Sequence, residues 1–201
     1  MVTAGKKRRR FARPIGRRRY RKVYVVAVEG RKTEPQYFAI LDQSSSVIQI
    51  KCLEGKDDTS PPQVLKRLTE YLRGEKLKTS DEAWLVVDKD HWTDDQLSQL
   101  SNWTTETENR SLAVSNPSFE YWLLLHFEDG TGIRSQRECK DRLRRHLPDY
   151  DKGVDSSRLS AEMIRLAVTR AKRRDNPPCV DWPTQLGQTT VYRLVEKVLK
   201  E

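Results

Sequence analysis

Cysteine is scarce: Cys52, Cys139 and Cys179 are the only three in 201 residues, they lie far apart, and none forms a Cys-x-x-Cys pair. An odd number at such spacings argues against a disulfide framework and a structural zinc site, and it fits a reducing cytoplasm. Long apolar runs are missing as well. The longest, residues 23–28 and 121–125, fall far short of the roughly 20 residues that a membrane-spanning helix needs. A basic start followed by residues 23–28 mimics a secretion signal, but the apolar part is too short and no small-residue cleavage site follows. No internal repeat is present. A chain of this length has room for one ordinary domain with a real core, so the expectation is a single soluble, cytoplasmic α/β unit.

Acidic residues are absent up to Lys22. Eleven cations accumulate there: Lys6, Lys7, Arg8, Arg9, Arg10, Arg13, Arg17, Arg18, Arg19, Arg21 and Lys22. Beyond Lys22 the chain carries 27 basic and 29 acidic residues, so the net charge of +9 resides in this first segment. A block of like charge without apolar periodicity is expected to be a disordered tail over residues 1–22, with a folded unit over residues 23–201. Arg8, Arg9, Arg10, Arg17, Arg18 and Arg19 would attract nucleic-acid phosphates in a salt-sensitive way. A solubilising arm is the alternative.

Beyond the tail the chain alternates between strand-like runs and helical patterns. Residues 23–28 read as a strand ending in Glu29-Gly30. Arg31 and Lys32 precede Thr33-Glu34-Pro35-Gln36, a capping-box pattern that predicts a helix with Thr33 as N-cap. Residues 46–53 form a second strand, and Pro61-Pro62 opens a helix on Val64, Leu65, Leu68, Tyr71 and Leu72. Ala83-Trp84-Leu85-Val86-Val87 reads as a strand buried on both faces. It ends in Asp88-Lys89-Asp90, where strand alternation would point both aspartates to one side, roughly 6 to 7 Å apart. Thr93-Asp94-Asp95-Gln96 is a second capping box, residues 111–115 a fourth strand, and residues 119–127 an apolar helix with Glu120 in its first turns. The remainder, from about residue 131, reads as helical additions: a capped helix from Ser135, a loop over residues 149–155, a helix over 157–174 closing in Lys172-Arg173-Arg174, and a last helix over 190–199. The order βαβαβαβ favours a mainly parallel sheet flanked by helices.

Two aspartates after one strand suit a hard divalent cation, because Mg²⁺ takes oxygen donors and is held by one or two carboxylates plus water and phosphate. Glu29 should reach the same sheet edge, where open α/β sheets bind ligands. Glu34 and Glu120 begin helices near that edge. For Glu120, simple complementation of the helix dipole is an equal alternative to a metal role. Arg31 and Lys32 are candidate phosphate contacts, as are Lys172, Arg173 and Arg174, whose position at a helix C-terminus also has a plain electrostatic explanation.

A Glu-Gly after the first strand and Asp-x-Asp after a later one resemble the Toprim domain of topoisomerases, primases and OLD-type nucleases. The resemblance narrows on Val28 to Phe38, on Val87-Asp88-Lys89-Asp90, on Ser115-Asn116-Pro117-Ser118-Phe119-Glu120-Tyr121-Trp122-Leu123-Leu124-Leu125-His126-Phe127 and on Thr190 to Val195, all of which look like the RloB-like family. That resemblance implies a Toprim-like (Rossmann-like) fold and a metal-dependent nuclease of a bacterial restriction or phage-defence system, working beside an AAA or ABC-type ATPase. Residues 179–188 depart from the family pattern. In the reading it implies, Asp88 and Asp90 hold Mg²⁺ or Mn²⁺, Glu29 ligates a metal or orients the attacking water, and Glu34 or Glu120 completes a second metal position. The rival expectation is a non-catalytic nucleic-acid-binding or ATPase-partner module with the same metal site.

Overall fold

In a computed structural model of the chain, residues 21–55, 60–89, 92–150 and 153–201 are described. Their order is β1 (Lys22–Val28), α1 (Thr33–Gln43), β2 (Ile48–Leu53), α2 (Pro61–Gly74), β3 (Glu82–Asp88), α3 (Asp94–Thr105), β4 (Arg110–Asn116), α4 (Phe119–Leu124), α5 (Gln136–His146), α6 (Ala161–Arg174), β5 (Gln188–Thr189) and α7 (Val191–Lys200). The strands form one sheet in the order β2-β1-β3-β4-β5. All neighbours are parallel except β5, which runs antiparallel to β4.

Alternation along the strands sorts their side chains into two layers. Val25, Ala27, Ala83, Leu85, Val87, Leu112 and Val114 face one way and are covered by Val64 and Leu68 of α2 and Leu97, Leu100 and Trp103 of α3. Tyr24, Val26, Val28, Trp84, Val86 and Ala113 face the other, against α1 and the helices α4 to α7. Burial on both faces explains why β1 and β3 are unbroken apolar runs rather than alternating ones.

Side-chain caps account for three of the helix starts. Thr93 caps α3 in a complete capping box with Gln96, Ser135 accepts from Glu138 N–H at α5, and Ser160 accepts from Met163 N–H at α6. The expected capping box at Thr33 is a correction: Lys32 occupies the N-cap position of α1 and no side chain caps it. The Thr33 hydroxyl is bonded to Tyr150 and the Gln36 amide to Val154 N–H instead. Two boundaries also move, and one element is new. The helix expected over 157–174 splits into a 3-10 turn, Ser156–Arg158, and α6; the apolar helix ends at Leu124; and the two residues of β5 add a strand where none was expected.

At the start of β1, Lys22 Nζ lies 2.6 Å from Glu201 Oε1 and 3.1 Å from Glu82 Oε1. The first strand and the end of α7 are thus joined at one rim of the sheet. No helix among the described residues is long and apolar enough to cross a membrane.

Candidate active site

The chain steps from β1 outward to β2 and then returns to place β3 on the other side of β1. The connections leaving β1 and β3 therefore diverge, α1 to one face and α3 to the other, and leave a crevice between two adjacent strand ends. Register fills that crevice with acids. Val28 stands beside Val86, so Glu29 follows at the level where β3 ends in Asp88. A cleft of about 240 Å³ opens there, lined by Glu29, Gly30, Thr33, Glu34, Asp88, Phe119, Glu120 and Tyr150.

Each carboxylate is fixed by backbone or side-chain donors. Glu29 Oε1 accepts the Asp88 N–H at 3.0 Å, and its Oε2 faces the Trp92 indole N–H at 3.5 Å. Asp88 Oδ1 accepts the N–H of Phe119, in the first turn of α4, at 2.8 Å. Glu34 Oε1 accepts the Gly30 N–H at 3.1 Å. A Cβ at position 30 would lie 2.0 Å from Glu34 Oε2, so any other residue there would displace the Glu34 carboxylate from this position. Glu120 takes the Ser118 hydroxyl on Oε2, while its Oε1 takes the Tyr150 hydroxyl at 3.1 Å and lies 3.4 Å from Lys140 Nζ.

Burial and the neighbouring acids raise the proton affinity of two of the carboxylates, Asp88 and Glu34. Asp88 is pushed well above the usual aspartate range by burial and then by Glu29, Glu34 and Glu120. Glu34, only 8% exposed, is pushed up to about 7 by burial, with Glu120 adding to the rise. Burial, together with Glu120, also holds the Tyr150 phenol above its ordinary range, so it stays protonated and serves as a donor. The cleft is short of positive charge, and a cation would relieve that shortage.

The donor set suits a hard cation in kind, since every carboxylate offers oxygen. It is not a preformed cage: no group of three or more His, Cys, Asp or Glu among the described residues stands ready to hold a metal ion. β3 ends at Asp88, and Asp90, expected to point to the same side, lies outside the described residues. So do Arg8, Arg9, Arg10, Arg17, Arg18 and Arg19.

Of the expected site residues, Glu29, Glu34, Asp88 and Glu120 meet in the cleft. Arg31 and Lys32 are exposed at the start of α1, beside it. Lys172, Arg173 and Arg174 do not line it. They pair with Glu196, Asp129 and the Gly187 carbonyl respectively, contacts that hold the end of α6 to its neighbours. His126 is a core residue: its Nδ1 faces the Trp122 carbonyl at 3.1 Å and its Nε2 faces the Tyr37 hydroxyl at 3.2 Å.

Two residues near the cleft had no sequence signal. Tyr150 sits in what reads as a loop. Arg67 is one polar residue among several on α2; its guanidinium reaches the Val28 carbonyl and contributes positive charge near Glu29, while its buried Nε has no hydrogen-bond partner.

No curated protein and no solved structure matches this chain. A family model for RloB-like proteins matches residues 24–198, from the first strand to the last helix, and takes in every acid of the cleft. The chain belongs to the RloB-like family.

Proposed function

We propose that this protein is a metal-dependent nuclease that hydrolyses phosphodiester bonds of DNA or RNA in the cytoplasm, as part of a bacterial anti-phage system with an AAA or ABC-type ATPase partner. One observation carries the reading: carboxylates from two adjacent parallel strands and the two helices α1 and α4 meet in one crevice at the point where the strand order reverses. The nuclease chemistry and the defence role draw further support from the resemblance of the Glu29-Gly30 and Asp88-Lys89-Asp90 segments to Toprim and RloB-like sequences.

Glu29 and Asp88, with Asp90, would hold Mg²⁺ or Mn²⁺, and Glu34 or Glu120 would complete a second position. When bound, such an ion neutralises phosphate charge and makes water a competent nucleophile near neutral pH. The chain's own residues do the rest. The backbone donors of Asp88, Phe119 and Gly30 orient the carboxylates before any substrate arrives. Arg31 and Lys32, exposed at the mouth, would grip the substrate backbone.

The second reading is a non-catalytic nucleic-acid-binding or ATPase-partner module with the same metal site, a role that the eleven cations up to Lys22 would serve equally well. Incubating the purified protein with DNA, RNA and tRNA in Mg²⁺, Mn²⁺ or EDTA, alone and with its ATPase partner, separates the two. Cleavage that EDTA and Asp88→Ala both abolish supports the nuclease. Intact substrate under every condition, with Mn²⁺ bound, supports the module, and cutting undiminished in Asp88→Ala removes this cleft from consideration.

A further inference from the structure

We infer that Tyr150 is a positioning residue of the cleft: its hydroxyl fixes the Glu120 carboxylate from outside the sheet, so affinity for a divalent cation depends on a phenol supplied by the connection between α5 and α6. The inference rests on reading the cleft as a cation site.

The geometry is specific. Tyr150 is 7% exposed and lines the cleft, and its hydroxyl donates to Glu120 Oε1 at 3.1 Å. With that proton committed, the Thr33 hydroxyl, 3.2 Å away, is left to donate to the phenol oxygen. Glu120 thereby has a donor on each oxygen, Ser118 on one and Tyr150 on the other, and its last torsion is fixed. Lys140 approaches the same Oε1, but its side chain is 37% exposed and its hold is screened by water. Tyr150 is the buried donor to Oε1.

The segment carrying Tyr150 is docked by residues that would otherwise cap α1. Gln36 Oε1 accepts the Val154 N–H at 2.8 Å. Gly153, with φ of +117°, passes so close that a Cβ would fall 2.0 Å from the same oxygen. Thr33 and Gln36, the two polar positions of the Thr-x-x-Gln pattern, are both diverted from the helix end to this connection. A tyrosine that merely filled the core would not need its hydroxyl between two side chains of the cleft wall. Groups that orient a ligating carboxylate change metal affinity by about 10- to 100-fold when removed.

The test is Mn²⁺ titration of the full chain by calorimetry, with free Mn²⁺ checked by electron paramagnetic resonance. Tyr150→Phe should weaken Mn²⁺ binding about tenfold or more. Tyr192→Phe removes another hydroxyl bond, to Asp175 Oδ2, away from the cleft lining, and should bind as the native chain does. Thr33→Val, which frees the phenol from its other side, should give a smaller loss in the same direction and serves if Tyr150→Phe does not fold. Native affinity in both Tyr150→Phe and Thr33→Val, or an equal loss in Tyr192→Phe, overturns the role of Tyr150. A native chain that binds no Mn²⁺, or whose binding survives Glu29→Gln, instead removes the cation site itself, and Tyr150's part in it falls with it.

Discussion

Glu29 accepts the backbone N–H of Asp88 at 3.0 Å, so the acid that ends one strand is held by the peptide of the acid that ends its neighbour. The Asp88 carboxylate is held in turn by the Phe119 N–H, so both acids are kept at one rim of the sheet. Repulsion built in this way is stored for a ligand to release, and it makes the cleft costly to the empty fold.

Asp88→Asn tests that cost. The amide keeps an oxygen for the Phe119 N–H while removing one charge from among Glu29, Glu34 and Glu120. The variant should melt at the native temperature or a few degrees above it at pH 7.5, and should lose Mn²⁺ binding. A melting temperature several degrees lower would show that the charge stabilises the fold.

Glu34 gives stability a pH dependence of definite sign. Its folded pKa, pushed up to about 7, exceeds the ordinary glutamate value of 4.5, so the folded state holds a proton that the unfolded chain gives up. Its contribution is complete below about pH 4.5 and is lost as the pH rises through 7, on the order of 3 kcal/mol. Urea melts from pH 4.5 to 8 should show a fall that Glu34→Gln flattens, and Mn²⁺ should restore stability at the alkaline end.

His126 acts in the opposite direction. Burial lowers its pKa to about 4, from 6.5, and it is only 2% exposed. The unfolded chain takes up a proton first, so stability falls as the pH drops from about 6.5 to about 4, again by about 3 kcal/mol. A His126→Gln variant, compared with the native chain over that interval, should show a shallower acid limb. Parallel curves would mean that the imidazole is protonated within the fold.

Removing residues 1–20 should weaken nucleic-acid binding and lower its salt dependence, because most counterion release would go with the cations. The cut belongs before Arg21: Lys22 opens β1 and is paired with Glu82 and Glu201. Fluorescence anisotropy over 50 to 300 mM salt reads the slope, which should fall by on the order of one unit for each phosphate no longer neutralised. An unchanged slope assigns phosphate binding to the folded surface.

The parallel core was legible because β1 and β3 are buried on both faces and carry that fact as uninterrupted apolar residues ending in acids. The convergence of Glu29 with Asp88 followed from strand order alone. Tyr150 was not legible, because it lies in a connection without periodicity and its partner Thr33 is more than a hundred residues away. Thr33 and Gln36 misled for a related reason: their spacing satisfies a local rule, while a distant segment offers the same donors and acceptors a buried site. Two residues of β5 are too few to show a pattern; they are held by Ser115 and Asn116 of β4.

The pairing of Lys22 with Glu201 fixes where the cationic leader is tethered. Six residues of β1 lie between that tether and Glu29, a span of about 23 Å along the strand. Twenty residues, fully extended, can span roughly 65 Å, so that distance is no bar to the two regions sharing one substrate in the nuclease proposed above. In the proposed nuclease, phosphate binding and hydrolysis would start from opposite ends of β1, so lengthening or shortening the leader should alter how often substrate arrives without altering how it is seated.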